Sequence, residues 1–203
     1  EISIGSSTGV LTFNSAPDYE TKSSYSATVT ASDGSNSSTQ NISVNIINVN
    51  EVPIFNSGET FTAAENQTAI GTVTATDADG DTLSYSLSGT DASSMSINSG
   101  SGVLTFNSAP DYETKTSYSA TVTVSDGTNS STQDIVVNIT NVNDNSPSIT
   151  SSAIFNAAEN QTSIGAVTAT DADSDAVTYS LSSNAAPGSN TDNAFVQDDH
   201  ASL

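Results

Sequence analysis

Tyr118, Ala120, Val122 and Val124 are separated by single Ser or Thr residues, a period of two. Ile135, Val137 and Ile139 alternate with Val136 and Asn138, Leu83, Tyr85 and Leu87 alternate with Ser, and Val73 and Ala75 flank a Thr. A period of two puts every second side chain on one face, so these runs predict half-buried β-strands. Thr and Val suit a pleated surface, whereas Ser and Asn at this density disfavour helix interiors. Asp126-Gly127 lies between two of the runs and signals a hairpin. No stretch shows helical periodicity, so the chain is expected to be all-β.

The pattern repeats. Gly9 to Lys22 reads GVLTFNSAPDYETK, and the same fourteen residues return 93 positions later at Gly102 to Lys115. AENQT at 64–68 returns at 158–162 and VTATDAD at 73–79 returns at 167–173, each 94 positions on. A unit of 93 to 94 residues is too long for a solenoid repeat and fits one β-sandwich domain. About seven short strands per unit, with turns between, predict tandem immunoglobulin-like Greek-key β-sandwiches. In this register 1–49 is the C-terminal part of a first repeat, 50–143 a complete second repeat, and 144–203 the N-terminal part of a third. The match fades after Leu181, and 184–203 are expected to form a divergent end. Residue 1 falls in mid-unit, as if the chain were cut there.

Composition narrows the function. The chain has 203 residues, 23 Asp+Glu against 2 Lys+Arg, and a formal net charge of -21. Such a field repels nucleic acid and anionic lipid. A chain this acidic is disordered unless its charges are placed to be neutralised. Here the acids recur in fixed motifs at the turns between strands. Cysteine is absent and His200 is the single histidine, which excludes thiolate metal sites and leaves histidine catalysis without material. No run approaches the ~20 apolar residues of a membrane-spanning helix.

In the second repeat the motifs are Glu65 in AEN, Asp77 and Asp79 in DAD, Asp111 and Glu113 in DYE, and Asp126 in SDG. A fifth, NVNDNSP, runs from Asn141 to Pro147. Two acids at i and i+2 in an extended segment face the same side. Clustered carboxylates repel, and a hard divalent cation relieves that repulsion. Calcium accepts six to eight oxygens from carboxylates, carbonyls and Asn side chains, whereas magnesium prefers smaller, more hydrated sites. Calcium is therefore the expected ion.

Taken in order, AEN, DAD, DYE, SDG and NVNDNSP resemble the calcium-binding signature of cadherin repeats, in particular of bacterial cadherin-type adhesins, over residues 1–183. The resemblance implies ions held at each junction between repeats. The first junction would use Asp18, Glu20, Asn48, Asn50, Glu51, Asp77, Asp79 and Asp126. The second would use Glu65, Asp111, Glu113, Asn141, Asn143, Asp144, Asn145, Asp171 and Asp173. Both linkers begin with Asn where the family has Asp, and the first, NVNEVP, is one residue shorter before its Pro. Neither junction is complete: the AEN glutamate of the first repeat and the late Asp of the third fall outside 1–203. Asp33 would serve a junction that is absent.

The implied function is calcium-stiffened, possibly homophilic, cell adhesion by an extracellular rod at the cell surface, with its membrane anchor outside this fragment. The partners would be calcium and identical or related adhesin chains. The competing reading is a carbohydrate-binding or spacer module of a secreted or matrix protein, with surface glycans as ligand. An EF-hand at Asp77 is disfavoured, because Thr82 and Ser88 stand where Gly and Glu are required. The paired carboxylates recur in each repeat and mark no single reaction centre, so no enzyme is expected. Lys22 and Lys115 are expected in local salt bridges, and Tyr19 and Tyr112 under the DYE turns. The Asn-x-Ser/Thr sequons at Asn36, Asn66 and Asn129 are ones that this composition produces by chance.

Overall fold

The computed structural model describes residues 1–182, in two units, Glu1–Val142 and a second beginning at Asn143. The divergent end expected at 184–203, with His200, lies outside the described residues. The first unit opens with two hairpins. Strands β1 (Ile2–Ile4) and β2 (Leu11–Phe13) pair antiparallel, as do β3 (Ser24–Ser32) and β4 (Ser37–Asn45). A fuller sandwich follows, built from β5 (Ile54–Phe55), β6 (Thr60–Ala64), β7 (Ala69–Thr72), β8 (Ala75–Thr76), β9 (Ser84–Ser88), β10 (Met95–Ile97), β11 (Val103–Phe106), β12 (Ser117–Ser125) and β13 (Ser130–Thr140). The helix among the described residues is a single 3-10 turn at Ala92–Ser94.

One sheet has the order β6-β13-β12-β9, with β6 and β13 parallel and the other neighbours antiparallel. The other has the order β10-β11-β7, and β5 pairs with β8 beside it. These nine strands exceed the seven expected from sequence, because the first two strands of the sandwich are each broken. The first crosses between sheets: β5 pairs with β8, then β6 with β13. The break at Ser57-Gly58 is stabilised by Gln133, whose amide donates to both carbonyls.

The core follows the alternation. Val73, Leu104, Val122, Val124, Ile135 and Val137 are fully buried, and Met95, Phe106, Ala120 and Ile139 join them. Thr121 and Thr123 point the other way, where the Thr121 hydroxyl donates to Asp134 at 2.6 Å. The hairpin expected at Asp126-Gly127 joins β12 to β13. Asp126 Oδ1 accepts the amides of Thr128 and Asn129, both at 2.6 Å, and Gly127 takes φ +96. Phe106 and Tyr118 meet edge to face at 4.9 Å, and Phe13 and Tyr25 repeat the contact at 5.0 Å.

The second unit contains β14 (Ser148–Ile149) paired with β15 (Ala169–Thr170), the equivalents of β5 and β8. Asn160 takes φ +63 and Asn66, its counterpart in the preceding repeat, φ +62.

Burial sets a graded expectation for truncation. Leu104→Ala should cost about 2–5 kcal/mol, the range for a buried leucine left as a cavity. Val103→Ala next to it, on the exposed side, should cost less than about 1 kcal/mol. Urea midpoints of the two variants check the ranking.

Candidate metal centre

The linker that enters the sandwich is held by carboxylates. Asp79 follows β8, and Gly80 after it takes φ +76, turning the chain sharply. Asp79 Oδ2 accepts the amide of Glu51 at 2.9 Å and Oδ1 the side-chain amide of Asn48 at 2.7 Å. Asn50 reaches the other nearby loop, donating to Asp126 Oδ2 at 2.8 Å, and the Asn129 side chain returns a bond to the Asn50 carbonyl at 3.2 Å.

These bonds bring acids from distant parts of the sequence together. Glu20, Glu51 and Asp79 each place a carboxylate oxygen within 4.8 Å of the others. Asp77, Asp79 and Asp81 do the same, so Asp79 belongs to both groups. Two oxygens bound to one calcium at 2.3–2.6 Å lie no more than about 5 Å apart, so the spacing suits that ion. Asp77 Oδ2 is buried with no hydrogen-bond partner among the described residues. An anionic oxygen stripped of water and left unpaired is costly, and a bound cation would remove that cost. The donors are all hard oxygens, as calcium requires.

The protonation behaviour shows the crowding. An internal backbone bond pulls the Glu20 carboxyl down, but desolvation and the charges of Asp79 and Asp18 outweigh it and leave it raised. Desolvation, then Asp79 and Glu20, raise Glu51. The Glu51 amide and the Asn48 side chain lower Asp79. Asp18 is lowered by the Thr21 amide and hydroxyl. Asp126 is lowered although desolvation opposes it, because Asn129, Asn50 and Thr128 donate to it.

Of the residues expected at the first junction, Glu20, Glu51, Asp77 and Asp79 meet in the two groups, and Asn48 joins them through Asp79. Asp18 acts on Glu20 and Glu51 by its charge. Asp126 is tied in through Asn50. Asp81 is an addition, carried by the third Asp of D-x-D-x-D, a spacing that sequence reasoning weighed only for an EF-hand.

The residues expected at the second junction divide between the units. In the first, Glu65 is buried and accepts the amides of Tyr112 at 2.8 Å and Val142 at 2.7 Å, with a Glu113 oxygen within 4.8 Å of one of its own. Asp111 accepts the Thr114 amide and hydroxyl, and Asn141 precedes Val142 in the same unit. In the second, Asp173 is buried and accepts the amides of Asp144 at 3.1 Å and Asn145 at 2.8 Å. Asn143 donates to Asp175, the equivalent of Asp81, and Asp171 accepts the Asp175 amide.

Both lysines are in salt bridges, as expected, Lys22 with Glu1 and Lys115 with Asp91, and each lies over a tyrosine ring, Tyr25 or Tyr118. Glu1 and Asp91 belong to no motif, so the sequence did not reveal them as partners. Tyr112 packs against the core, but Tyr19 is exposed, contrary to expectation.

The family model described as the cadherin domain matches residues 59–140. The chain is 34% identical over 161 residues to the protocadherin-like wing polarity protein stan of Drosophila melanogaster, covering 70% of this chain and 4% of that protein. It is 38% identical over 130 residues to protocadherin Fat 4 of Homo sapiens, covering 59% of this chain and 3% of that one. The chain thus spans only a few per cent of these relatives' length. A solved structure of a protocadherin gammaB7 EC3-6 cis-dimer superposes with a TM-score of 0.64 at 28% identity, over 80% of this chain and 45% of that one. These likenesses agree on a Greek-key β-sandwich of cadherin type and lend no support to the bacterial part of the expectation.

The acid cluster predicts how ion-free protein responds to pH. Glu20 and Glu51 bind protons more readily folded than unfolded, so stability should rise as pH falls towards the ordinary glutamate value of 4.5. Below the ordinary aspartate value of 3.8, protonation of Asp18, Asp79 and Asp126 should reverse the trend. Thermal melts in chelator across this range check the sign of each limb.

Proposed function

We propose, from the premise that this chain belongs to the cadherin family through its domain at 59–140, that the acids around Asp79 are a calcium site that stiffens an extracellular adhesion rod. Cadherin repeats are adhesion modules and not enzymes. The observation that carries the calcium reading is the sharing of Asp79 between two carboxylate groups, beside the unpaired Asp77 Oδ2. Glu20 and Asp18 come from the turn after β2, Asn48 and Glu51 from the linker, and Asp77, Asp79 and Asp81 from the loop after β8. These residues belong to three stretches of chain that a shared ion would hold as one body. Bound calcium supplies positive charge that offsets the repulsion raising Glu20 and Glu51. Without that charge the linker keeps the hydrogen bonds of Asn48, Asn50 and Glu51 but also the repulsion that opposes them.

On sequence grounds the same reading extends to the second linker motif, with Glu65, Asp111, Glu113 and Asn141 before it and Asn143, Asp144, Asn145, Asp171 and Asp173 within or after it. It also treats 1–49, 50–143 and 144–203 as part, whole and part of three repeats. The family places such repeats outside the cell, in proteins held at the membrane. No helix among the described residues is long and apolar enough to cross one. Homophilic contact between like chains is the adhesive mode we propose.

A melt followed by circular dichroism tests the calcium site. Ligand at about one hundred times its Kd stabilises the native state by about 2.7 kcal/mol, so the midpoint should rise by several degrees in calcium. Magnesium should give much less. Asp79→Asn should remove most of the shift, while Asp134→Asn, on the outer face of β13, should keep it. An equal calcium shift in Asp79→Asn would reject the site.

A further inference from the structure

The chain that enters the complete sandwich crosses two stretches outside any sheet, one before β5 and one between β5 and β6. Main-chain carbonyls in such stretches find no donor in a ladder, and those shielded from water need one from elsewhere. Pro53, just before β5, is fully buried and brings no N–H of its own.

Three side chains at the start of β13 supply the donors. The Asn129 side chain donates to the Asn50 carbonyl at 3.2 Å, and Ser131 Oγ to the Pro53 carbonyl at 2.6 Å. Gln133 Nε2 donates to the Gly58 carbonyl at 3.0 Å and to the Ser57 carbonyl at 3.3 Å. The three stand at alternate positions, on the face that carries Ile135, Val137 and Ile139 further along. All three are half-buried, while Ser130, Thr132 and Asp134 beside them are exposed. The inward face of this stretch is thus polar where the entering chain lies over it and apolar where the core does. The same five residues, NSSTQ, stand at 36–40 and at 129–133. In the sequence Asn129-Ser130-Ser131 reads as a chance sequon, but in the fold both of its defining side chains are engaged with the linker.

This clamp ends on the candidate metal centre. Asp126 Oδ1 accepts the Asn129 amide at 2.6 Å, and Asp126 Oδ2 accepts the Asn50 side chain at 2.8 Å. Glu51, the next residue, donates its amide to Asp79 at 2.9 Å. Holding the Asn50 and Pro53 carbonyls therefore holds Asn50 and Glu51 against the two loops whose acids they join. The donors themselves stand outside both carboxylate groups.

We propose that Asn129, Ser131 and Gln133 are positioning residues of the metal centre, laying the linker along β13 so that Asn50 and Glu51 are in place before an ion arrives. The proposal rests on the calcium reading. A linker ordered in advance has less freedom to lose on binding, which raises affinity without a new ligand. Removing an outer partner of a metal ligand typically weakens the metal by about 10–100-fold.

Four variants of the 203-residue chain test this. Ser131→Ala and Asn129→Ala each remove one donor, Ser131→Thr keeps the hydroxyl, and Thr132→Ala alters the exposed neighbour. Calcium affinity is measured by titration calorimetry, and hydrogen exchange of the Glu51 amide is followed in chelator. Both alanine variants at the clamp should bind calcium about tenfold more weakly or worse, and their Glu51 amide should exchange faster before any calcium is added. Ser131→Thr and Thr132→Ala should match the parent in both readouts. Clamp variants that bind calcium as the parent does would overturn the proposal even if their midpoint in chelator fell, because support of the sandwich alone lowers the midpoint and leaves the affinity unchanged. Unchanged Glu51 exchange in both would overturn it as well. A parent chain that takes up no calcium would instead sink the calcium reading, and this role with it, whatever the exchange shows.

Discussion

The Asp79 carboxylate holds the linker to the sandwich. It accepts the Glu51 amide through one oxygen and Asn48 through the other, and these bonds lower its pKa and fix its charge. Desolvation, and then that negative charge, raise Glu20 and Glu51. The attraction that orders the linker thus also adds a repulsion that opposes it. A cation placed there would act on the second effect without disturbing the first. The exposed charges are screened by salt, so the balance is also sensitive to ionic strength.

The core was legible because alternation is a strong local signal. β12 and β13 bury the residues that their period of two selected, from Ala120 to Val124 and from Ile135 to Ile139. The broken first strand was not legible, because Ile54-Phe55 and Phe61 give no sign of which sheet each joins. The partner sheet is chosen by Gln133 and the β13 backbone, far away in sequence. The motif acids were legible by recurrence. Asp81 was weighed only for an EF-hand, because its grouping with Asp77 and Asp79 comes from the folded loop, and Asp91 was missed because its role comes only from standing opposite Lys115.

Two lysines among 23 acids would seem too few to matter, yet each is used in the same way. Lys22 and Lys115 follow the DYE turns, pair with an acid and lie over the next tyrosine. The Lys115 stem is half-buried, so its contribution combines packing with charge. Asp91 is lowered chiefly by this lysine and then by the Ser119 amide, which ties the 3-10 turn to the start of β12. Among the described residues most other acids stand in loops and on outer faces, whereas Glu65 and Asp173 are buried and accept backbone amides.

The parallel pairing of β6 with β13 has a mechanical consequence. Val136 is opposite Thr60 and Thr140 opposite Ala64, so the chain enters the sandwich at one end of this pair and leaves it at the other. A pull on the two ends would slide one strand along the other and load the rungs of the ladder together. An antiparallel hairpin pulled from its open end would instead give way one rung at a time. The first and last strands of the repeat therefore share tension as a lap joint does, with the load spread along their overlap.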